Sequence, residues 1–183
     1  LGSVGALGAH ILPIRMESLS FLPGFAVAMA GSTLVGQYLG AGSPEMAVRS
    51  VRFCWRVAVV LMTTVGLFFF FGRNHVIGWM APDSELHVAL AAPLLMICAL
   101  TQPIFATCIV LKTSMRGAGA TRMVMAWSFS SMLIFRVLAL MILSKTIELT
   151  LTGVWVVFAV DLLVQAVLFI RLHFKGKWLA VKI

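Results

Sequence analysis

The sequence predicts an all-α, polytopic membrane protein with about five transmembrane helices in a single domain, and three observations carry that prediction. First, 61% of the 183 residues are hydrophobic and only 11% are charged, whereas soluble domains run about 45–50% apolar and about 25% charged. A water-soluble fold of this size has nowhere to bury so much apolar surface, so lipid is its natural solvent. Second, the apolar residues gather into runs long enough to cross a bilayer. Third, the cations fall in alternate connections between those runs.

A spanning helix takes about 20 mostly apolar residues. The first such segment is Ile11–Val35, behind a lead-in that contains Gly2, Gly5 and Gly8. Gly40-Ala41-Gly42-Ser43-Pro44-Glu45 then reads as a turn and a new helix start, with Ser43 as N-cap and Pro44 in the first helical position. The second span is Trp55–Phe71, followed by a turn from Gly78 to Glu85 that includes Pro82, Asp83 and Ser84. The third, Val88–Leu111, ends at Gly117-Ala118-Gly119, since glycine commonly closes a helix. The fourth, Val124–Leu143, and the fifth, Leu151–Ile170, are joined by a tight hairpin over Ser144–Thr150. With no linker or low-complexity tract between them, residues 1–183 read as one transmembrane domain.

The formal net charge of +8 raises the question of nucleic-acid binding. The cations form no stripe along a helix face, so we exclude nucleic acid as a partner. Their arrangement is that of topology signals. Arg49, Arg52 and Arg56 lie in or beside the first connection, Lys112, Arg116 and Arg122 around the third, and Arg171, Lys175, Lys177 and Lys182 in the tail. The second and fourth connections hold only Arg73 and Lys145. The positive-inside rule therefore places the C-terminus in the cytoplasm of an inner-membrane protein and the N-terminus outside. An exported N-terminus that opens on Leu1 leads us to expect at least one further helix upstream.

Cys54, Cys98 and Cys108 form no C-x-x-C pair and read as small buried hydrophobes, not as a metal site. No H-E-x-x-H, G-x-S-x-G or P-loop appears, and no nucleophile–base pair suggests an enzyme. No cofactor is expected. The basic tail with Trp178 adds membrane lipid as a contact.

Four ionisable residues fall inside the spans: Arg15, Glu17, Arg136 and Asp161. A charge at the bilayer centre costs a few kcal/mol or more, so each is a functional candidate. Arg136 lies nine residues before Lys145, and Asp161 eleven after Thr150. At about 1.5 Å per residue they sit roughly 14 and 16 Å from the hairpin, level with each other on antiparallel neighbours. We expect an ion pair that fixes helix register, with a protonation-dependent latch as the competing role. Asp161 is also kept as a coupling-ion or proton candidate. Arg15 cannot face Glu17, because i and i+2 point about 200° apart, and it can snorkel to the outer interface. Glu17 shares a face with His10, Ile14, Phe21 and Gly24. Facing a cavity without a fixed partner, it would exchange a proton as a coupled carrier requires; bound to an unseen helix, it would be structural. Pro23-Gly24 and Pro103 are hinge or kink candidates, and bent helices are where transporters place binding sites. The 11 Met and 13 Phe suit an adaptable apolar cavity, although lipid-facing positions account for most of them.

Two stretches carry a family resemblance. The run Glu17-Ser18-Leu19-Ser20-Phe21-Leu22-Pro23-Gly24, with Leu34-Val35-Gly36-Gln37-Tyr38-Leu39-Gly40-Ala41-Gly42, resembles the multidrug and toxic compound extrusion (MATE) family. So does Arg116-Gly117-Ala118-Gly119-Ala120-Thr121, and the later Gly153-Val154-Trp155 and Asp161 also fit. The motif residues are thus Gly36, Gln37, Gly40, Gly42, Arg116, Gly117 and Gly119. The resemblance implies helices eight to twelve of a twelve-helix carrier built as two six-helix lobes, with the seventh helix upstream. It further implies antiport of organic cations and other amphipathic compounds against Na⁺ or H⁺, with the rest of the same carrier as partner. Ala120 stands where the family usually has an acid. Phe105 stands where some members carry a cation-binding acid in the tenth helix, and another family acid lies in the seventh. A lipid-linked saccharide flippase of the same superfamily ranks second, because only Arg15 and Arg136 are available to line a cationic cavity. A non-transporting scaffold or remnant is the third reading.

Overall fold

The computed structural model describes residues 6–80, 85–146 and 150–179. Gly2, Gly5, the Pro82–Ser84 turn, the tip of the last hairpin and Lys182 lie outside the described residues. Those that are described form helices joined by short turns. They are α1 (Ala6–Gly40), α2 (Pro44–Met80), α3 (Glu85–Gly117), a fourth rod of three pieces, and α6 (Leu151–Lys175), followed by a 3₁₀ turn at Lys177–Leu179. The fourth rod is α-helical over Thr121–Ser131 (α4), π-helical over Met132–Leu138, and α-helical again over Ala139–Thr146 (α5).

Five of these rods are long and apolar enough to cross a membrane. Each contains one of the apolar segments read from the sequence and extends it at one or both ends. The 37 residues of α2 measure roughly 55 Å at 1.5 Å per residue, against a hydrocarbon core of about 30 Å. Helix ends therefore project into the headgroup layers. Polar residues there blur the hydropathy signal, although the backbone hydrogen bonds continue.

Two turns share one geometry. At the end of α1, Ser43 N–H donates to Tyr38 O (2.8 Å) and Gly42 N–H to Leu39 O (3.0 Å). At the end of α3, Ala120 N–H donates to Met115 O (3.0 Å) and Gly119 N–H to Arg116 O (2.9 Å). These are Schellman motifs, which need a left-handed residue one place past the cap. Gly42 (φ 72°) and Gly119 (φ 81°) occupy it. At the start of α6, Thr150 Oγ1 accepts from Gly153 N–H at 3.1 Å as an N-cap.

Packing between the rods relies on small residues, as it must where lipid supplies no hydrophobic drive for association. The middle layer of α1, α2 and α3 is Ala28, Cys54, Ala58, Met62, Ala106 and Val110. A Cβ on Gly24 would collide with Met62 Sδ, and one on Gly117 with the Ser32 carbonyl. Pro103 deprives the Ala99 carbonyl of its i+4 N–H. That carbonyl lies 2.7 Å from where a Cβ on Gly66 would sit, so the glycine admits the close approach of α3 to α2. All three cysteines are buried free thiols.

Two further clusters define the ends of the bundle. Val35, Ala47, Leu111, Met115, Ala118, Val124, Phe169 and Trp178 pack together, so both Schellman turns and the end of α6 share one end. Phe69, Ile77, Leu94, Leu95 and Trp155 pack at the other, with Leu12 and Leu151 against them.

Candidate functional site

Two of the intramembrane charges, Glu17 and Arg136, line a cavity of about 340 Å³ among α1, α3, the π segment and α6. Its lining includes His10 and Glu17 from α1, Thr101 and Phe105 from α3, Arg136 from the π segment, and Trp155 and Phe158 from α6. The α1 residues arrive together because positions 10, 14 and 17 share a helix face. Trp155 Nε1 donates to His10 Nδ1 at 3.1 Å and ties the start of α6 to α1. Phe21 extends the aromatic surface, with its ring centroid 5.6 Å from that of Phe105.

Asp161 is wholly buried and saturated with donors. Ser131 Oγ donates to Oδ1 at 2.7 Å, and Gln165 Nε2 approaches both oxygens at 2.9 and 3.0 Å. Arg136 Nη2 stands 3.3 Å from Oδ2. The guanidinium also lies over the Phe158 ring, 4.3 Å from its centroid, an added cation–π attraction. Behind Gln165, Lys112 Nζ donates to Oε1 and sits 5.2 Å from the Phe169 centroid. A chain of polar groups thus runs from α3 through α6 to the fourth rod.

The π segment makes this convergence possible. On an α-helix, residues five apart point about 140° from each other. In a π turn the i→i+5 bond stacks them on one face. Ser131 and Arg136 are five apart, and both reach Asp161. Neither the π turn nor the place of Ser131, Gln165 and Lys112 in the cluster is among the expectations drawn from the sequence. The available signal was the helical spacing of Asp161 and Gln165 on α6, together with a hydroxyl five residues before Arg136.

Glu17 is half-buried on the cavity wall and makes no ion pair among the described residues. Arg15, two residues away, is exposed and outside the cavity lining. Pro23 and Gly24 lie within α1, which stays helical through both. Pro103 lies on the outer side of α3, lining a different groove. Of the motif residues, Gly42 and Gly119 form the Schellman turns, whereas Gly36 packs against Gly117, its would-be Cβ 3.5 Å from that residue's carbonyl. Gln37 and Arg116 are exposed and lend their carbonyls to the same turns. Gly40 closes α1 with open space around it. These residues therefore shape helix ends and crossings, away from the cavity.

The MatE family profile matches residues 1–142. The chain belongs to the MatE family. Over 173 residues it is 29% identical to a probable multidrug resistance protein NorM of Thermotoga maritima, covering 94% of this chain and 37% of that protein. Over 176 residues it is 30% identical to a probable multidrug resistance protein NorM of Mannheimia succiniciproducens, covering 92% of this chain and 37% of the relative. A multidrug resistance protein NorM of Burkholderia vietnamiensis is 29% identical over 124 residues, 66% of this chain and 27% of that protein. The chain thus spans little more than a third of the length of the first two relatives and about a quarter of the third. Both glycine-rich turns fall inside the matched region.

Proposed function

We propose that this chain is part of one lobe of a secondary antiporter that exports amphipathic and cationic compounds in exchange for H⁺ or Na⁺, with Glu17 as its coupling acid. One observation carries the reading: an acid without an ion-pair partner among the described residues lines a cavity inside the bundle, together with aromatic side chains and the Arg136 guanidinium that is itself paired with Asp161. An intramembrane carboxyl free to change partner is what coupling requires. Asp161 suits that role less well, because its oxygens already hold Ser131, Gln165 and Arg136. We assign Arg136–Asp161 the structural role of fixing the last two spans. Phe105, aligned by the resemblance with a tenth-helix acid, lines the same cavity as Glu17; on our reading the acid has moved across it, from α3 to α1. Phe105, Trp155 and Phe158 would then offer flat apolar contact to an amphipathic cation. The carrier works in the cytoplasmic membrane, with its C-terminus inside, and performs no covalent chemistry.

The test is ethidium export by the full-length protein in an efflux-deficient host, driven by a pH gradient alone and then by a Na⁺ gradient alone. The ion whose gradient supports export is the coupling ion. Glu17→Gln should abolish the gradient dependence while leaving membrane insertion intact. Export by that variant at the unaltered rate eliminates Glu17.

A further inference from the structure

A second concavity opens on the outer side of the bundle, away from Glu17. It holds about 710 Å³ and runs between α2, α3 and α6. Arg52 and Arg56 lie at one end of it, and Val59, Val60, Leu163 and Val167 continue the wall. The two arginines are one helical turn apart and so share a face. Both are exposed, and neither has an acidic partner among the described residues. Trp55, half-buried beside them, is held by its Nε1 donating to Thr107 Oγ1 at 2.9 Å.

The dimensions relate the groove to the bilayer. Residues 57–72 of α2 carry no charge and measure roughly 24 Å, so Arg56 and Arg73 mark the two edges of the hydrocarbon layer. Arg52 and Arg56 therefore stand at headgroup level. From Phe174 back to Leu163 the α6 wall is eleven residues, roughly 16 Å, about half of a core near 30 Å thick. The groove is one leaflet deep, cationic at the headgroup end and apolar below.

We propose that this groove is a binding site for an anionic phospholipid, with its phosphate between Arg52 and Arg56 and an acyl chain along Val60, Leu163 and Val167. Charge complementarity selects the lipid class, because the two arginines face no acid among the described residues. Each cation near the surface favours an anionic headgroup about fivefold. The site is separate from the antiport cavity and does not depend on the identity of the coupling acid.

The test uses the full-length protein in nanodiscs, with Trp55 as the sole tryptophan and the others replaced by Phe. Brominated phosphatidylglycerol should quench Trp55 half-maximally at a mole fraction at least fivefold below that of brominated phosphatidylcholine. Arg52→Ala or Arg56→Ala should each cut that preference about fivefold, and the double Lys variant should retain it. Equal quenching by the two lipids overturns the proposal. So does quenching by neither, which would place a protein segment in the groove, or an equal loss of preference with Arg171→Ala/Lys175→Ala, which would make it a diffuse surface effect. If the single-tryptophan protein does not fold, native mass spectrometry of the unsubstituted protein decides. Co-purified phosphatidylglycerol should fall in the Arg52→Ala/Arg56→Ala variant, and undiminished retention rejects the site.

Discussion

At the residue scale, the ion pair is asymmetric. The Asp161 side chain is 1% exposed, whereas that of Arg136 is 39% exposed. Removing the acid strands Gln165 and Ser131 as donors and leaves the guanidinium without its counter-charge. That guanidinium is half open to its surroundings, whereas removing Arg136 leaves the buried Asp161 carboxylate with two donors and no counter-charge. We predict that Arg136→Ala destabilises the full-length protein by about 3 kcal/mol, the lower end for leaving a buried charge unpaired. Asp161→Ala should cost about 1 kcal/mol. Thermal melting of the purified variants in detergent gives the comparison, and an Asp161 variant that is the less stable of the two contradicts it. Glu17 belongs to the other class of charge, an acid with no ion-pair partner among the described residues.

At the element scale, the fourth rod is the irregular one. Its π segment adds one residue to an α-helical register, so that Ser131 and Arg136 face the same way. Deleting Ile134, which is exposed, would leave those two residues four apart, still on one face of a plain α-helix. That variant should elute as a monodisperse species and melt within a few degrees of the parent. Deleting Phe158 from the regular α6 turns Asp161 about 100° against the residues before it and should abolish folding. Equal damage from both deletions would mean that the π turn is not a register insertion.

At the scale of the whole molecule, the charge pattern and the packing agree on which connections lie together. Arg49, Arg116, Arg122 and Arg171 belong to the end that gathers the two Schellman turns and Trp178. Taking that end as cytoplasmic, a cysteine-free background carrying Ala41→Cys or Thr121→Cys should react with an impermeant maleimide only in inverted vesicles. Trp79→Cys or Ser144→Cys should react only in intact cells. Labelling of positions 41 and 121 from opposite sides would refute the topology. The exterior fits a lipid solvent, since Leu19, Leu22, Phe68, Phe71, Trp79 and Ile142 all stand exposed where a soluble protein would bury them.

Much of this architecture was legible in the residues alone. Span number, span centres and the alternation of cationic turns follow from composition and order, because the bilayer acts on each segment independently: every rod must satisfy its own backbone and hide its own polarity. The level match of Arg136 with Asp161 was equally calculable, since helical rise is constant. What the tertiary structure decided depends on neighbours. That Asp161 is saturated while Glu17 is left open, that the Ala99 carbonyl needs Gly66 beside it, and that a π turn brings Ser131 under Arg136 are all relations between separate helices. Rotation of one rod against the next is set by side-chain fit across the contact, and no local stretch of sequence carries that information.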